Sequence, residues 1–387
     1  MSVQDGRPRV LTVVGTRPEA IKMAPVIQAL EARGSEVETV VALTGQHTTM
    51  VDQVLEVFGY APQFDLELMR QDQTLYDVAT GCLDGLRRVV QEVRPHALVV
   101  QGDTATVFFG ALVSFFERVR VGHVEAGLRS HDKWAPYPEE IFRRLTDVVT
   151  DFYFAPTAGA QNNLLAEDVA PEQVHVTGNT VVDALQHVAA SDRKARHPDV
   201  QRLLAAGRPL VLLTAHRRES FGAPLEGVFR VLRQLADQHT GVEFLYPVHP
   251  NPNVQEPARR LLSDHPRIHL TDPLDYVDLV RVLERATLVL TDSGGIQEEA
   301  PTFGTPVLVL REVTERPEGL AAGAAVLVGT DPARIRREVS RVIDGGPGHR
   351  RTSSNPYGDG RAGERIADII VSSLTGSARR TGDWLGP

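Results

Sequence analysis

The chain is 387 residues long, 42% apolar and 24% charged, which is more than one compact core usually holds and predicts about two domains of roughly 150–200 residues each. It carries no stretch of about 18 uncharged apolar residues and no secretory h-region, so a cytoplasmic protein without a membrane span is expected, and its single cysteine, Cys82, excludes an internal disulfide and a Cys-based zinc site. With 41 basic against 50 acidic residues, a net charge of −9 and no basic cluster, a nucleic-acid partner is not expected; an anionic small ligand would rely on local cations such as Arg17, Lys22, Arg217 and Arg218.

In chain order, a strand at residues 10–14, a helix over 20–32 and a strand at 37–43 open the pattern, followed by strands at 97–101, 119–124, 152–155 and 174–176 with helices between them. Short β-branched runs alternating with amphipathic stretches predict a parallel sheet with helices on both faces. A helix beginning near Asn179 then runs into the charged, proline-bearing SDRKARHPDV, and strands resume at 209–214, which places a domain boundary within 180–208. The second half repeats the scheme with strands at 242–247, 268–271, 287–291, 306–310 and 325–328. A last helix follows NPYGDG at 355–360. The expected class is α/β, with Rossmann-like domains at 1–180 and 181–359, a C-terminal helix at about 360–375 packing back on the first domain, and a flexible tail at 376–387.

Several strand ends carry candidate chemistry. Gly15-Thr16-Arg17-Pro18-Glu19-Ala20-Ile21-Lys22 places a glycine at a strand-to-helix turn, a proline near the first helical position and two cations at the helix opening, the composition of an anion cradle; a plain capped helix is the alternative. It is neither Gly-x-Gly-x-x-Gly nor a Walker loop, so dinucleotide and ATP readings lose their main support. Gln101-Gly102-Asp103-Thr104 and Gly122-His123-Val124-Glu125 put carboxylates at strand C-termini, where α/β sheets bind ligands, although Asp103 could serve only as a helix N-cap. Glu139 and Arg143 stand four apart on one helix face and could form an ordinary surface ion pair.

In the second half, His216, Arg217 and Arg218 emerge at the end of a buried strand, an arrangement suited to phosphate binding or acid–base work. Thr291-Asp292-Ser293-Gly294-Gly295-Ile296-Gln297-Glu298-Glu299 ends a strand with two glycines and opens a helix, so its amides can meet a diphosphate. Glu299 offers two acceptors to vicinal ribose hydroxyls. No His-Glu-x-x-His pattern occurs, and no catalytic metal is expected.

Taken together, GTRPEAIKMAP, QGDT, GHVEAGLRS, PYPEE, HRRES, YPVHPNP, LTDSGGIQEEAP, TERPE and NPYGDG, spread over residues 12–360, resemble the signature series of the non-hydrolysing UDP-N-acetylglucosamine 2-epimerases. The resemblance implies a glycosyltransferase-B-like fold whose two parallel sheets face a cleft, a homodimer, and UDP-GlcNAc and UDP-ManNAc as ligands without a cofactor. It assigns Arg17 and Lys22 to the diphosphate and sugar region, Asp103, Glu125 and Glu139 to the acid–base cluster, and Arg143 and His216 to its support. Ser293, Gly294, Gly295 and Glu299 match nucleotide-binding positions, and Arg316 in TERPE a phosphate-facing arginine. Gln46, Arg217 and His249 match positions where a second UDP-GlcNAc activates many bacterial members.

The chain departs from the family pattern at that activating site. Thr48-Thr49 follow Gln46-His47 where family members usually carry arginine and a polar residue, and Asp72 stands near a common arginine, so weakened or absent activation is expected. Phe142 and Leu279 replace a frequent asparagine and aromatic near the chemistry, which bears on the N-acyl sugar accepted. The rival functions are a hydrolysing epimerase releasing ManNAc and UDP, a glycosyltransferase of the same fold, and a non-catalytic sugar-nucleotide sensor.

Overall fold

The structure, a computed structural model, describes residues 6–45, 49–68, 70, 72–345 and 355–387, without the side chains of Thr49 and Met50. The chain divides into two compact units, the first formed by Met1–Ala184 with Tyr357–Pro387 and the second by Leu185–Pro356.

The first unit runs β1 (Arg9–Val14), α1 (Arg17–Glu31), β2 (Glu38–Leu43), α2 (Thr49–Phe58), β3 (Phe64–Asp65), α3 (Leu75–Val93), β4 (Ala97–Gln101), α4 (Ala105–Phe116), β5 (Arg120–Val124), α5 (Glu139–Val148), β6 (Phe152–Ala155), α6 (Ala158–Ala166), β7 (Val174–Val176) and the start of α7 (Thr180–Ala190). Its seven strands are ordered β3-β2-β1-β4-β5-β6-β7, all parallel. The order reverses between β1 and β4, which makes their carboxyl ends the crevice where such sheets take ligands. Leu11, Val13, Leu98 and Val100 in these two strands are fully buried, each contributing about 1.5–3 kcal/mol of hydrophobic stabilisation. Cys82, on α3, packs into the same core as Leu11 and Leu86.

The second unit runs α8 (Pro198–Ala206), β8 (Leu210–Thr214), α9 (Ala223–Gln238), β9 (Glu243–Pro247), α10 (Pro252–Leu262), β10 (Ile268–Thr271), α11 (Tyr276–Arg285), β11 (Leu288–Thr291), α12 (Gly294–Glu299), β12 (Val307–Val309), α13 (Pro317–Ala321), β13 (Ala325–Leu327) and α14 (Pro332–Asp344). Its six parallel strands are ordered β10-β9-β8-β11-β12-β13, reversing between β8 and β11. Both units are therefore doubly wound α/β layers, as the alternation of short apolar runs predicts.

Helix α15 (Ala362–Thr375) belongs to the first unit and packs on α1. Its first amides are met by α7, where Asp183 accepts from the Gly363 N–H at 2.8 Å. The segment after it is not the flexible tail expected from its composition. Asp368 accepts from the amides of Arg380 and Thr381 at 2.6 and 2.8 Å, and the Trp384 N–H donates to the Val176 carbonyl at the end of β7 at 2.7 Å. The Trp384 side chain is buried, and its apolar area together with these bonds offsets the entropy of ordering the segment.

Candidate functional site

At the β1–β4 reversal of the first unit, the carboxylates named from sequence converge with more partners than the sequence disclosed. Glu125 follows β5 with φ 69°, a left-handed conformation that costs a side-chain-bearing residue about 1–2 kcal/mol. The strained turn is held by bonds from the Glu125 and Ala126 amides to the Phe154 carbonyl, at 3.0 and 3.2 Å. It directs a carboxylate only 8% exposed onto three donors: Lys22 Nζ at 2.5 Å, Asn179 Nδ2 at 3.0 Å and Gln101 Nε2. Lys22, expected in the diphosphate and sugar region and among the catalytic residues, is thus paired with one of the carboxylates read as the acid–base cluster.

Asp103 does not cap α4, because Thr104 takes that place. Its Oδ2 instead accepts from Arg143 Nε at 3.1 Å and from Nη2. Arg143 does not make the surface ion pair with Glu139 that their spacing allowed; its remaining nitrogen, Nη1, donates to Glu140 Oε2 at 3.1 Å. Glu140 is wholly buried and also accepts from the amides of Ser130 and His131 at 3.0 and 3.1 Å. Glu139 keeps a buried Oε2 that meets no hydrogen-bond donor among the described residues, an arrangement that is infrequent for a buried polar atom.

The anion cradle expected at the start of α1 is filled by the chain itself. Glu19 turns back so that Oε2 accepts from the Gly15 N–H at 2.7 Å and Oε1 from the Thr16 hydroxyl at 2.9 Å. Burial pushes this carboxyl up to about 7 against the bonds that favour its charged form. Gly15 is required there, since a Cβ would collide with the Thr106 side chain. Arg17 stands part-buried at the first position of the helix.

In the second unit, Asp292 at the end of β11 organises the loop after β8. Its Oδ2 accepts from the amides of His216 and Arg217 at 2.7 and 2.8 Å, and its Oδ1 lies 3.4 Å from His216 Nδ1. The His216 ring stacks on His249 at 5.3 Å between centroids. Burial lowers the His216 pKa, His249 and Arg217 add to that, and Asp292 opposes it. Ser293 precedes α12, and its N–H donates to the Thr291 hydroxyl at 2.9 Å. Two bonds tie α12 to the segment around Arg316: Thr314 hydroxyl to Gln297 Oε1 and Arg316 Nε to Glu298 Oε1, both at 2.6 Å. Arg316 thereby lies over the N-terminus of α12, its Cζ 3.5 Å from where a Cβ on Gly294 would stand, while Glu299 Oε1 lies 3.6 Å from the same point on Gly295.

The chain matches the family model described as UDP-N-acetylglucosamine 2-epimerase over residues 28–371. It belongs to that family. A UDP-N-acetylglucosamine 2-epimerase of Yersinia pestis is 46% identical over 371 residues, which cover 94% of this chain and 98% of the relative. The crystal structure of UDP-GlcNAc 2-epimerase from Neisseria meningitidis bound to UDP-GlcNAc superposes with a TM-score of 0.84 at 40% identity, covering 95% of this chain and 100% of that one. The fold class is glycosyltransferase-B-like; at the level of fold alone, the glycosyltransferase of kitacinnamycin aligns at 15% identity and a TM-score of 0.62, over 95% of this chain and 100% of its own.

For this member of the epimerase family, the first unit pairs Lys22 with Glu125 and Arg143 with Asp103 through direct contacts and sets Glu139 at the start of the same helix as Arg143. The second unit brings His216 and Arg217, after β8, against His249, after β9, and sets Ser293, Gly294, Gly295 and Glu299, after β11, together with Arg316, after β12. Gln46 lies outside the described residues, and Asp72 is exposed. Gln101, Asn179, Glu140 and Asp292 complete the sites and were not singled out from sequence. Gln101, Glu140 and Asp292 stand inside QGDT, PYPEE and LTDSGGIQEEAP, which was the available signal, whereas Asn179 was read only as the start of a helix and lies in none of the motifs. Among the described residues no helix is long and apolar enough to cross a membrane, and no group of three or more His, Cys, Asp or Glu is placed to hold a metal ion.

Proposed function

We propose that this chain interconverts UDP-GlcNAc and UDP-ManNAc without releasing the free sugar. The observation that carries the reading is the carboxylate set of the first unit: Glu125 met by three donors, Asp103 clamped by Arg143, and Glu139 with a buried oxygen that meets no donor among the described residues. The C2 proton of an N-acetylhexosamine has no adjacent carbonyl to acidify it, so cleavage of the anomeric C–O bond must lead or accompany its removal. Carboxylates stabilise the developing oxocarbenium character, as in glycoside hydrolysis. Loss of UDP and of the C2 proton leaves a 2-acetamidoglucal; re-addition of UDP with protonation on the opposite face inverts C2. No oxidant or reductant enters the balance.

Within this scheme Glu139 takes the proton, because Glu125 and Asp103 are engaged by cations that would have to be displaced first. The second unit supplies the UDP-holding set: Ser293, Gly294 and Gly295 at the α12 amides, Arg316 as the phosphate cation, Glu299 for the ribose and His216 beside Asp292. The reading includes a homodimer acting in the cytoplasm. Proton NMR of the purified protein with UDP-GlcNAc in deuterated buffer tests it: UDP-ManNAc carrying deuterium at C2 is the expected product. Free ManNAc with UDP would move the chain to the hydrolysing reaction, and an unchanged spectrum would refute the epimerase reading for this substrate. Omission of any activating nucleotide sugar from the UDP-ManNAc reaction tests the expected loss of activation, since a requirement for added UDP-GlcNAc would contradict it.

A further inference from the structure

We propose that His123 is a positioning residue that fastens the acid–base elements of the first unit together as a doubly protonated ring, an inference that rests on the reading of that carboxylate set just given. His123 lies on β5, is wholly buried and has a polar partner at each nitrogen: Nδ1 stands 2.6 Å from Asp147 Oδ1 and Nε2 stands 2.7 Å from the Gly102 carbonyl oxygen. A carbonyl oxygen has no proton to give, so Nε2 must carry one. Asp147 is also a pure acceptor. Its Oδ2 takes a bond from Arg129 Nη2 at 2.7 Å and faces the Gly127 N–H at 3.3 Å. Burial would raise its carboxyl, but Arg129, a permanent cation bonded to Oδ2, favours the charged, accepting form. Nδ1 therefore donates as well. The charged groups reaching the ring are Asp147 from α5 and, through it, Arg129 from the loop after β5, while β6 contributes the Tyr153 hydroxyl on the Asp147 carbonyl at 2.7 Å.

Every bond of this ring ends on an element that carries a candidate catalytic residue. Gly102, at a left-handed φ of 88°, is the residue before Asp103. Asp147 sits on α5 one helical turn beyond Arg143, on the helix that Glu139 opens. His123 is two residues before Glu125. A neutral ring in either tautomer would satisfy only one of the two contacts, and an apolar side chain neither. Since displacement of a reacting group by about 1 Å can lower turnover about 100-fold, loss of this brace should register in kcat.

Two measurements test the proposal. In ¹⁵N-labelled wild-type protein near neutral pH, with the ring assigned through its own carbons, both His123 nitrogens should show bound protons; a single ring N–H would overturn the proposal. That spectrum needs no substrate, so it decides the protonation even if UDP-GlcNAc is not turned over by the wild type, an outcome that would refute the functional reading instead. In steady-state epimerisation, His123→Phe should lower kcat about 100-fold with KM within about threefold, and His123→Gln, whose Nε2 can still donate to Gly102, should recover about tenfold of that. Equal losses in the two variants, or wild-type kcat in both, would overturn the positioning role; should the Phe variant fail to fold, the ring spectrum and the kcat of His123→Gln decide, with kcat at the wild-type value counting against it.

Discussion

The Lys22 ammonium stands 2.5 Å from Glu125 Oε1 across 103 positions of sequence, both side chains largely withdrawn from solvent. Removing one partner of such a pair leaves a buried charge uncompensated, which costs about 3–5 kcal/mol when burial is complete. Lys22→Met should therefore destabilise the protein by about 2–4 kcal/mol, and adding Glu125→Gln to it should restore part of the loss. Urea unfolding of the single and double variants measures the coupling. Additive effects would mean that Gln101 and Asn179 alone satisfy Glu125.

Arg143 binds Asp103 through Nε and Nη2 and Glu140 through Nη1, using the planar fork that a lysine lacks. Arg143→Lys keeps the charge and loses the geometry. With Asp103 then unrestrained, kcat for UDP-GlcNAc epimerisation should fall about 100-fold while the thermal midpoint moves little. A lysine variant with wild-type kcat would show that charge alone is needed at this place.

These contacts mark the boundary of what the sequence could disclose. The strands were legible because parallel strands buried on both faces read as unbroken apolar runs, as in Ala97–Gln101; β3, only Phe64–Asp65, is too short to leave such a signal. Asp103 and Glu125 were legible because they stand just after those runs, and Glu139 because it opens a helix within PYPEE. Their partners were not, because Lys22 meets Glu125 and Arg143 meets Asp103 only once the sheet is ordered. Local spacing suggested Glu139 for Arg143, but the β4 loop offered a better-placed acceptor. His123 lies within a strand and carried no periodic cue, and the polar C-terminal segment gave no sign that Asp368 and Val176 would bind its backbone.

Glu19 supplies a pH prediction. Its carboxyl is raised from 4.5 to about 7 by burial, so the folded state holds this proton over a range where the unfolded chain has released it. Stability then falls as pH rises from about 4.5 to about 7, by roughly 3 kcal/mol as an upper bound from this group. Glu19→Gln, which can still accept from the Gly15 amide, removes that slope. Unfolding free energies measured from pH 5 to 8 should show the variant gaining on the wild type as pH rises. A constant difference over that range would mean that Glu19 is ionised in the fold throughout.

Gly294 separates stability from ligand binding in the second unit. A Cβ at this position would stand 3.5 Å from Arg316 Cζ and 3.6 Å from Nη2, an ordinary contact that requires no rearrangement. Gly294 is also the first residue of α12, where alanine is favoured over glycine by up to about 1 kcal/mol. Gly294→Ala should thus fold with an unchanged or raised thermal midpoint. On the proposed placement of UDP, its methyl group would nonetheless fill the space beside the guanidinium through which a diphosphate reaches the α12 amides, so calorimetric titration with UDP should show an affinity about tenfold lower, or roughly 1.4 kcal/mol. Should UDP bind the alanine variant as tightly as the wild type, the diphosphate does not approach this backbone, and the cation at Arg316 must hold it from another side.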